Sequence, residues 1–265
     1  MSHLGLVPIT LVLLASATFA VSYIIAVVRG DVRAAFPYIS DTGSERPESC
    51  IFGQFLNFVS FLAFWTMYIR YKAVEAISHM TLNDSRRLYW LNRSSLFVGL
   101  ISALGTTLVA NFQEGTIVEA VHFIGALTAF FAGTLYCFLQ TALSYHMCPD
   151  YNSLHICRTR LSISVISLVS LVTSIVAAAF AVTEWNSTKH KDSKFKWAPD
   201  EPGYAAHIVS TVGEWVTALT FLFFFFTYVK EFDKFNMEVT IRPTMHHLEQ
   251  VHQRLEVNEG TALLA

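Results

Sequence analysis

The sequence predicts an all-α, polytopic membrane protein: a bundle of six transmembrane helices with both termini in the cytosol. Three observations carry this. Of the 265 residues, 53% are hydrophobic and only 14% are charged, against about 25% charged in a soluble domain. Six apolar stretches each approach the roughly 20 residues that cross a bilayer. With cytosolic termini, the inside segments hold eleven Lys and Arg and the outside loops seven, the bias that orients membrane proteins.

The elements follow in order. Residues 1–28 contain no Lys, Arg, Asp or Glu, giving span 1 at about 6–28. Its apolar run is too long for a signal peptide and lacks a basic leader, so it reads as a retained helix. Span 2 covers about 50–70 and span 3 about 93–112, joined by a long inner loop, 72–92. Span 4, about 118–145, carries Gly125, Ala126, Ala129, Ala132 and Gly133, small residues that let helices approach closely. Span 5 covers about 161–183. Span 6, about 205–229, is interrupted by Glu214. Residues 1–229 thus form the membrane domain and 230–265 a cytosolic tail. Trp185 and Trp197 are expected in interfacial aromatic belts.

Arg29 and Arg33 run against this orientation. The sequon Asn186-Ser187-Thr188 supports it, because it falls in an outside loop where glycosylation occurs. The sequons at Asn83 and Asn92 fall inside. Net charge is −2, so no basic field points to a nucleic-acid partner. Cys50, Cys137, Cys148 and Cys157 show no metal-ligand spacing. Cys50 alone lies near the outer face, which excludes an intrachain lumenal disulfide. Cys148 and Cys157, beside the cytosolic surface, are free thiols or acylation sites.

Few ionisable residues fall inside the spans. Glu119 and His122 are three apart and share a helix face. His207 and Glu214 are seven apart and also share one. Glu214 lies about 14 Å into its span at 1.5 Å per residue. A lone carboxylate at such depth costs on the order of 3 kcal/mol, so it must be neutral, paired or beside a wet cavity. Spans 4 and 6 both descend from the outer face, which places His122 and His207 at similar depth, with Glu119 and Glu184 near them. A polar cluster in the outer half of the bundle is therefore expected. Four readings of it stand: hydrogen bonds between helices with no chemistry, headgroup or sterol binding, metal-assisted lipid hydrolysis, and proton-coupled transport. No HExxH pair, P-loop, GxGxxG or nucleophile elbow is present, so no metal or cofactor is expected.

Three segments carry a family resemblance: "PYISDTGSERPESCIFGQFLN" at 37–57, "VANFQEGTIVEAVHFIGA" at 109–126 and "KWAPDEPGYAAHIVSTVGEW" at 196–215. Together they resemble the DRAM family, the DNA-damage-regulated autophagy modulators, from span 1 to the tail. The looser pieces recur in a wider family linked to GPI-anchor remodelling and to anchoring a phosphoinositide kinase. The resemblance implies a six-span lysosomal membrane protein that promotes autophagy and, in some members, cell death. It implies a regulator working through membrane lipids or autophagy proteins, not an enzyme. Within the matching segments Asp41, Asn111, Gln113, His122, His207 and Glu214 are the polar residues singled out.

The tail has Met245, Leu248, Val251 and Leu255 at helical spacing, which predicts a short amphipathic helix. It ends "EGTALLA". Glu259, three residues, then Leu263-Leu264 matches an acidic dileucine sorting signal. A clathrin-adaptor-type partner binds such a peptide by burying both leucines, at about 1.5–3 kcal/mol each. The expected destination is the lysosomal membrane, by way of endosomes.

Overall fold

The computed structural model describes residues 3–80, 86–187 and 193–238. Among these, six helices are long and apolar enough to cross a membrane. They are α1 (Leu6–Arg29), α2 (Glu48–Met80), α3 (Arg86–Asn111), α4 (Glu119–His146), α5 (Leu154–Trp185) and α6 (Tyr204–Phe226). A short helix, α7 (Val229–Phe232), continues α6. No strand occurs among the described residues. Each long helix packs on its chain neighbour, and α6 returns to α1, closing a ring.

The helices outrun the apolar stretches that mark them. α2 continues ten residues past Arg70, and α5 begins at Leu154. Hydropathy marks the part of a helix that hydrocarbon can solvate, whereas the backbone goes on satisfying its own hydrogen bonds beyond it. Much of the expected inner loop 72–92 is therefore helix.

α3 and α4 meet at the closest approach. A Cβ on Gly105 would fall 2.5 Å from the Ala129 backbone nitrogen, and one on Gly125 would fall 2.7 Å from Leu108 Cβ. The Ser102 hydroxyl donates to the Ala129 carbonyl at 2.8 Å across this seam. α5 presents a different inner face. Ser164, Ser167, Ser170 and Ser174 recur every three or four residues and are all buried. They meet Thr141 at 3.1 Å, Thr134 at 3.0 Å, Thr217 at 2.8 Å and the Ser210 carbonyl at 2.8 Å, so they tie α5 to α4 and α6. Each such hydrogen bond contributes about 0.6 kcal/mol in lipid, and together they fix the register of the three helices.

Candidate functional site

The segments joining α1 to α2, α3 to α4 and α5 to α6 gather at one end of the ring. The first folds down onto the bundle rather than standing clear of it. Tyr38 donates its hydroxyl to Ser210 Oγ at 2.7 Å, and Trp215 donates its indole N–H to the Pro37 carbonyl at 2.9 Å. Thr42 Oγ1 donates to the Ile39 carbonyl at 2.7 Å and lies 3.1 Å from Ser22 Oγ of α1. These contacts bury Asp41, in a single 3₁₀ turn at Asp41–Gly43, to 5% exposure.

The segment before α6 closes the opposite wall. Gly203 caps α6 with φ of 80°, a left-handed conformation that side chains disfavour. A Cβ there would also lie 2.7 Å from the Ala181 carbonyl of α5, so glycine is required twice over. Trp197, 6% exposed, donates its indole N–H to the Pro202 carbonyl at 3.0 Å. Its ring stacks on His207 at 4.6 Å, and Tyr38 meets that imidazole edge-on at 5.2 Å. Trp197 is thus a buried wall residue, not a belt residue. Indole stacked on imidazole removes both rings from the interface.

Between these walls lies a chamber of about 460 Å³. Asp41, Glu119, His122, His207 and Glu214 all line it. The helix faces explain the pairing: Glu119 and His122 project from one side of α4, His207 and Glu214 from one side of α6. Asn111 and Gln113 are not in this group. Asn111 is exposed and exchanges hydrogen bonds with Asn57 of α2 at 3.1 and 3.2 Å, and Gln113 lies toward Gly53. The turn after α3 points both away from the chamber. Glu184 is exposed at the end of α5 and does not line it.

Two charged residues of the site, Glu114 and Lys194, escape sequence reasoning. Both sit in connecting segments with no helical period to mark them. Lys194 Nζ lies 3.1 Å from Glu114 Oε1 and also pairs with Glu119. Ser40 donates to Glu114 Oε2 at 3.0 Å. His122 is 3% exposed, with Nδ1 2.6 Å from the Phe112 carbonyl and Nε2 3.8 Å from Glu114. Burial, reinforced by the nearby Glu114 and Glu214 charges, holds the Asp41 carboxyl well above the usual carboxylate range. Burial alone would lower the Lys194 ammonium, but Glu114 and Glu119 outweigh it and raise it. Burial likewise raises the Tyr38 phenol.

Adjoining the chamber is a second, apolar cavity of about 150 Å³, lined by Leu11, Phe52, Leu56 and Leu222. His122 and Glu214 line both spaces. Two buried polar atoms of chamber-lining residues have no hydrogen-bond partner: His207 Nδ1 and, at this boundary, Glu214 Oε2. Among the described residues, no three His, Cys, Asp or Glu are grouped to hold a metal.

A second charged group lies toward the other end of the ring. Arg70 of α2 and Arg160 of α5 are fully buried and share one carboxylate, Glu231 of α7. Arg70 Nη1 lies 2.6 Å from Glu231 Oε2, and Arg160 Nη2 lies 2.8 Å from Oε1. Both guanidiniums lie over the Tyr228 ring, at 5.3 and 4.7 Å. Hydropathy assigns these three residues to inner segments. A finer signal exists, since Arg70 continues the buried stripe Met67, Val74 and Ile77 at helical spacing. Cys157 is also fully buried, which withholds it from acylation. Asn92 is 4% exposed and donates to the Tyr71 carbonyl at 3.0 Å.

Comparison with known proteins finds relatives along most of the chain. Residues 3–235 match the Frag1/DRAM/Sfk1/Cwh43P N-terminal domain. The chain is 40% identical to DNA damage-regulated autophagy modulator protein 1 of Mus musculus over 89% of this chain and 94% of that protein. It is 38% identical to DNA damage-regulated autophagy modulator protein 2 of Bos taurus, over 92% of this chain and 89% of that protein. It is 37% identical to the modulator of macroautophagy TMEM150B of Mus musculus, over 69% of this chain and 78% of that protein. No solved structure matches.

Proposed function

The chain belongs to the Frag1/DRAM/Sfk1/Cwh43P family, and from that premise we propose that it is a membrane protein that promotes autophagy from lysosomes and endosomes, as a regulator and not an enzyme. The observation that carries this reading is similarity, over almost the whole membrane domain, to proteins named as autophagy modulators. Its termini are cytosolic, and Asn186 carries glycan on the lumenal side. Glu259, Leu263 and Leu264 lie outside the described residues; here they are the address read by a clathrin-adaptor-type partner. Regulation proceeds through membrane lipids or autophagy proteins, and a link to cell death follows from the same resemblance.

A second reading has its own support. The chamber and the adjoining cavity share a wall at His122 and Glu214, one space polar and the other apolar. That is the pattern of a site for a lipid-like molecule, so binding or remodelling lipid is itself the activity in this alternative.

One experiment tests the location and the role together. Cells lacking the protein are given back either the wild type or the double variant Leu263→Ala/Leu264→Ala. Surface labelling and autophagic flux are then measured. The wild type should restore flux from lysosomes, and the variant should accumulate at the cell surface. Unchanged lysosomal residence of the variant overturns the address, and unrestored flux with the wild type overturns the regulatory role.

A further inference from the structure

The chamber's chemistry narrows what enters it. Four carboxylates line it: Asp41, Glu114, Glu119 and Glu214. Lys194 pairs with both Glu114 and Glu119, one positive charge against two acids. Asp41 and Glu214 have no ion-pair partner among the described residues. Glu214 Oε2 and His207 Nδ1 are buried and unpartnered, and His207 is 95% buried. Buried polar atoms of this kind are costly unless something fills them. In its ionised form a carboxylate oxygen accepts, so a cationic donor would complete it.

The surroundings specify that donor further. Aromatic rings of Tyr38, Trp185 and Trp197 line the chamber, and aromatic faces favour a cation. The adjoining apolar cavity is of the size that admits a benzene-sized hydrocarbon group. The side-chain hydrogen bonds joining α4 to α5 among the described residues run from Thr134–Ser167 through Thr141–Ser164 to Ser144–Arg160, and the Glu119 end of α4 lies beyond them. There Phe123, Leu127 and Val182 line the chamber and are also about half exposed on the outer surface of the ring.

We propose that this chamber binds an amphiphile with an alkylammonium head, which enters between α4 and α5 from the membrane. The inference rests on the lipid-engaging reading above. The ammonium has three N–H donors. They meet Glu214 Oε2, His207 Nδ1 and the Asp41 carboxyl, whose ionised form the ammonium charge favours over the protonated one, and the first part of the hydrocarbon chain lies in the apolar cavity. A phosphate or carboxylate head would instead bring a further negative charge into a chamber lined by four acids and one lysine.

The test uses the full chain in nanodiscs of neutral phosphatidylcholine. Hexadecylamine, hexadecanol and hexadecanoate are titrated at equal membrane fraction, and binding is read by quenching of tryptophan fluorescence, with Trp197→Phe as the reference for the chamber. Hexadecylamine should bind at least tenfold more tightly than the other two. Glu214→Gln and Asp41→Asn should each reduce that preference by fivefold or more, in samples whose thermal unfolding shows a folded protein. Equal binding of the alcohol or the acid overturns the amine assignment and leaves lipid engagement standing. Failure of all three probes to reach Trp197 overturns both. Amine binding unchanged in both variants overturns the proposed contacts.

Discussion

Arg70 and Glu231 are 161 residues apart in the chain and 2.6 Å apart in space. Arg160 reaches the same carboxylate from α5, so one acid answers two buried guanidiniums. The group joins α2, α5 and α7, and Gln140 of α4 accepts from Arg70 Nε at 3.1 Å. Removing the acid leaves two buried cations facing each other. Breaking a buried pair costs about 3–5 kcal/mol. Glu231→Gln should therefore lower stability by that amount, and denaturant-induced unfolding in micelles measures it. Adding Arg70→Met to Glu231→Gln should recover part of the loss, because one uncompensated charge goes.

Asp41 sets a pH dependence with a definite sign. Its folded-state acidity is weakened, so the folded protein holds a proton that the unfolded chain releases above about pH 3.9. The resulting stabilisation is greatest in acid and is lost as pH rises through the raised folded value. The midpoint of thermal unfolding should be higher at pH 5 than at pH 7.5 by about 2–4 °C for each kcal/mol involved. Asp41→Asn, which imitates the protonated acid, should narrow the difference.

Gly105 reverses the usual helix rule. Alanine is a better helix former than glycine by about 1 kcal/mol. Yet a Cβ here would lie 2.5 Å from the Ala129 nitrogen and 2.7 Å from the Gly125 carbonyl, and backbone cannot rotate away. Gly105→Ala should destabilise by about 1–3 kcal/mol. A gain in thermal stability would show that α3 and α4 are less tightly joined than this spacing requires.

Asn186 and Asn92 form a matched pair for topology. Asn186 is exposed at the end of α5, whereas Asn92 is 4% exposed and hydrogen-bonded within the bundle. Glycosidase should lower the apparent mass of the wild type and leave Asn186→Gln unaffected. A residual shift in Asn186→Gln that disappears with Asn83→Gln would place the expected inner loop in the lumen.

Much of this protein is legible from patterns that act within one helix. Twenty apolar residues need hydrocarbon wherever the rest of the chain lies, so six helices can be read from hydropathy. A three- or seven-residue spacing fixes which side chains share a face, so the pairs Glu119/His122 and His207/Glu214 follow from counting. Segments such as "PYISDTG" carry the family in the same local way. The chain alone does not say that Lys194 meets Glu114, or that Asn111 turns toward Asn57 and away from the chamber. Nor does it say that Arg70 and Arg160 are core residues sharing Glu231. These depend on how the ring closes and how the connecting segments fold back. A charge at the end of an apolar stretch costs little if it reaches water and must be paired if a neighbouring helix covers it. Only the tertiary structure decides which, because the covering helix comes from elsewhere in the chain.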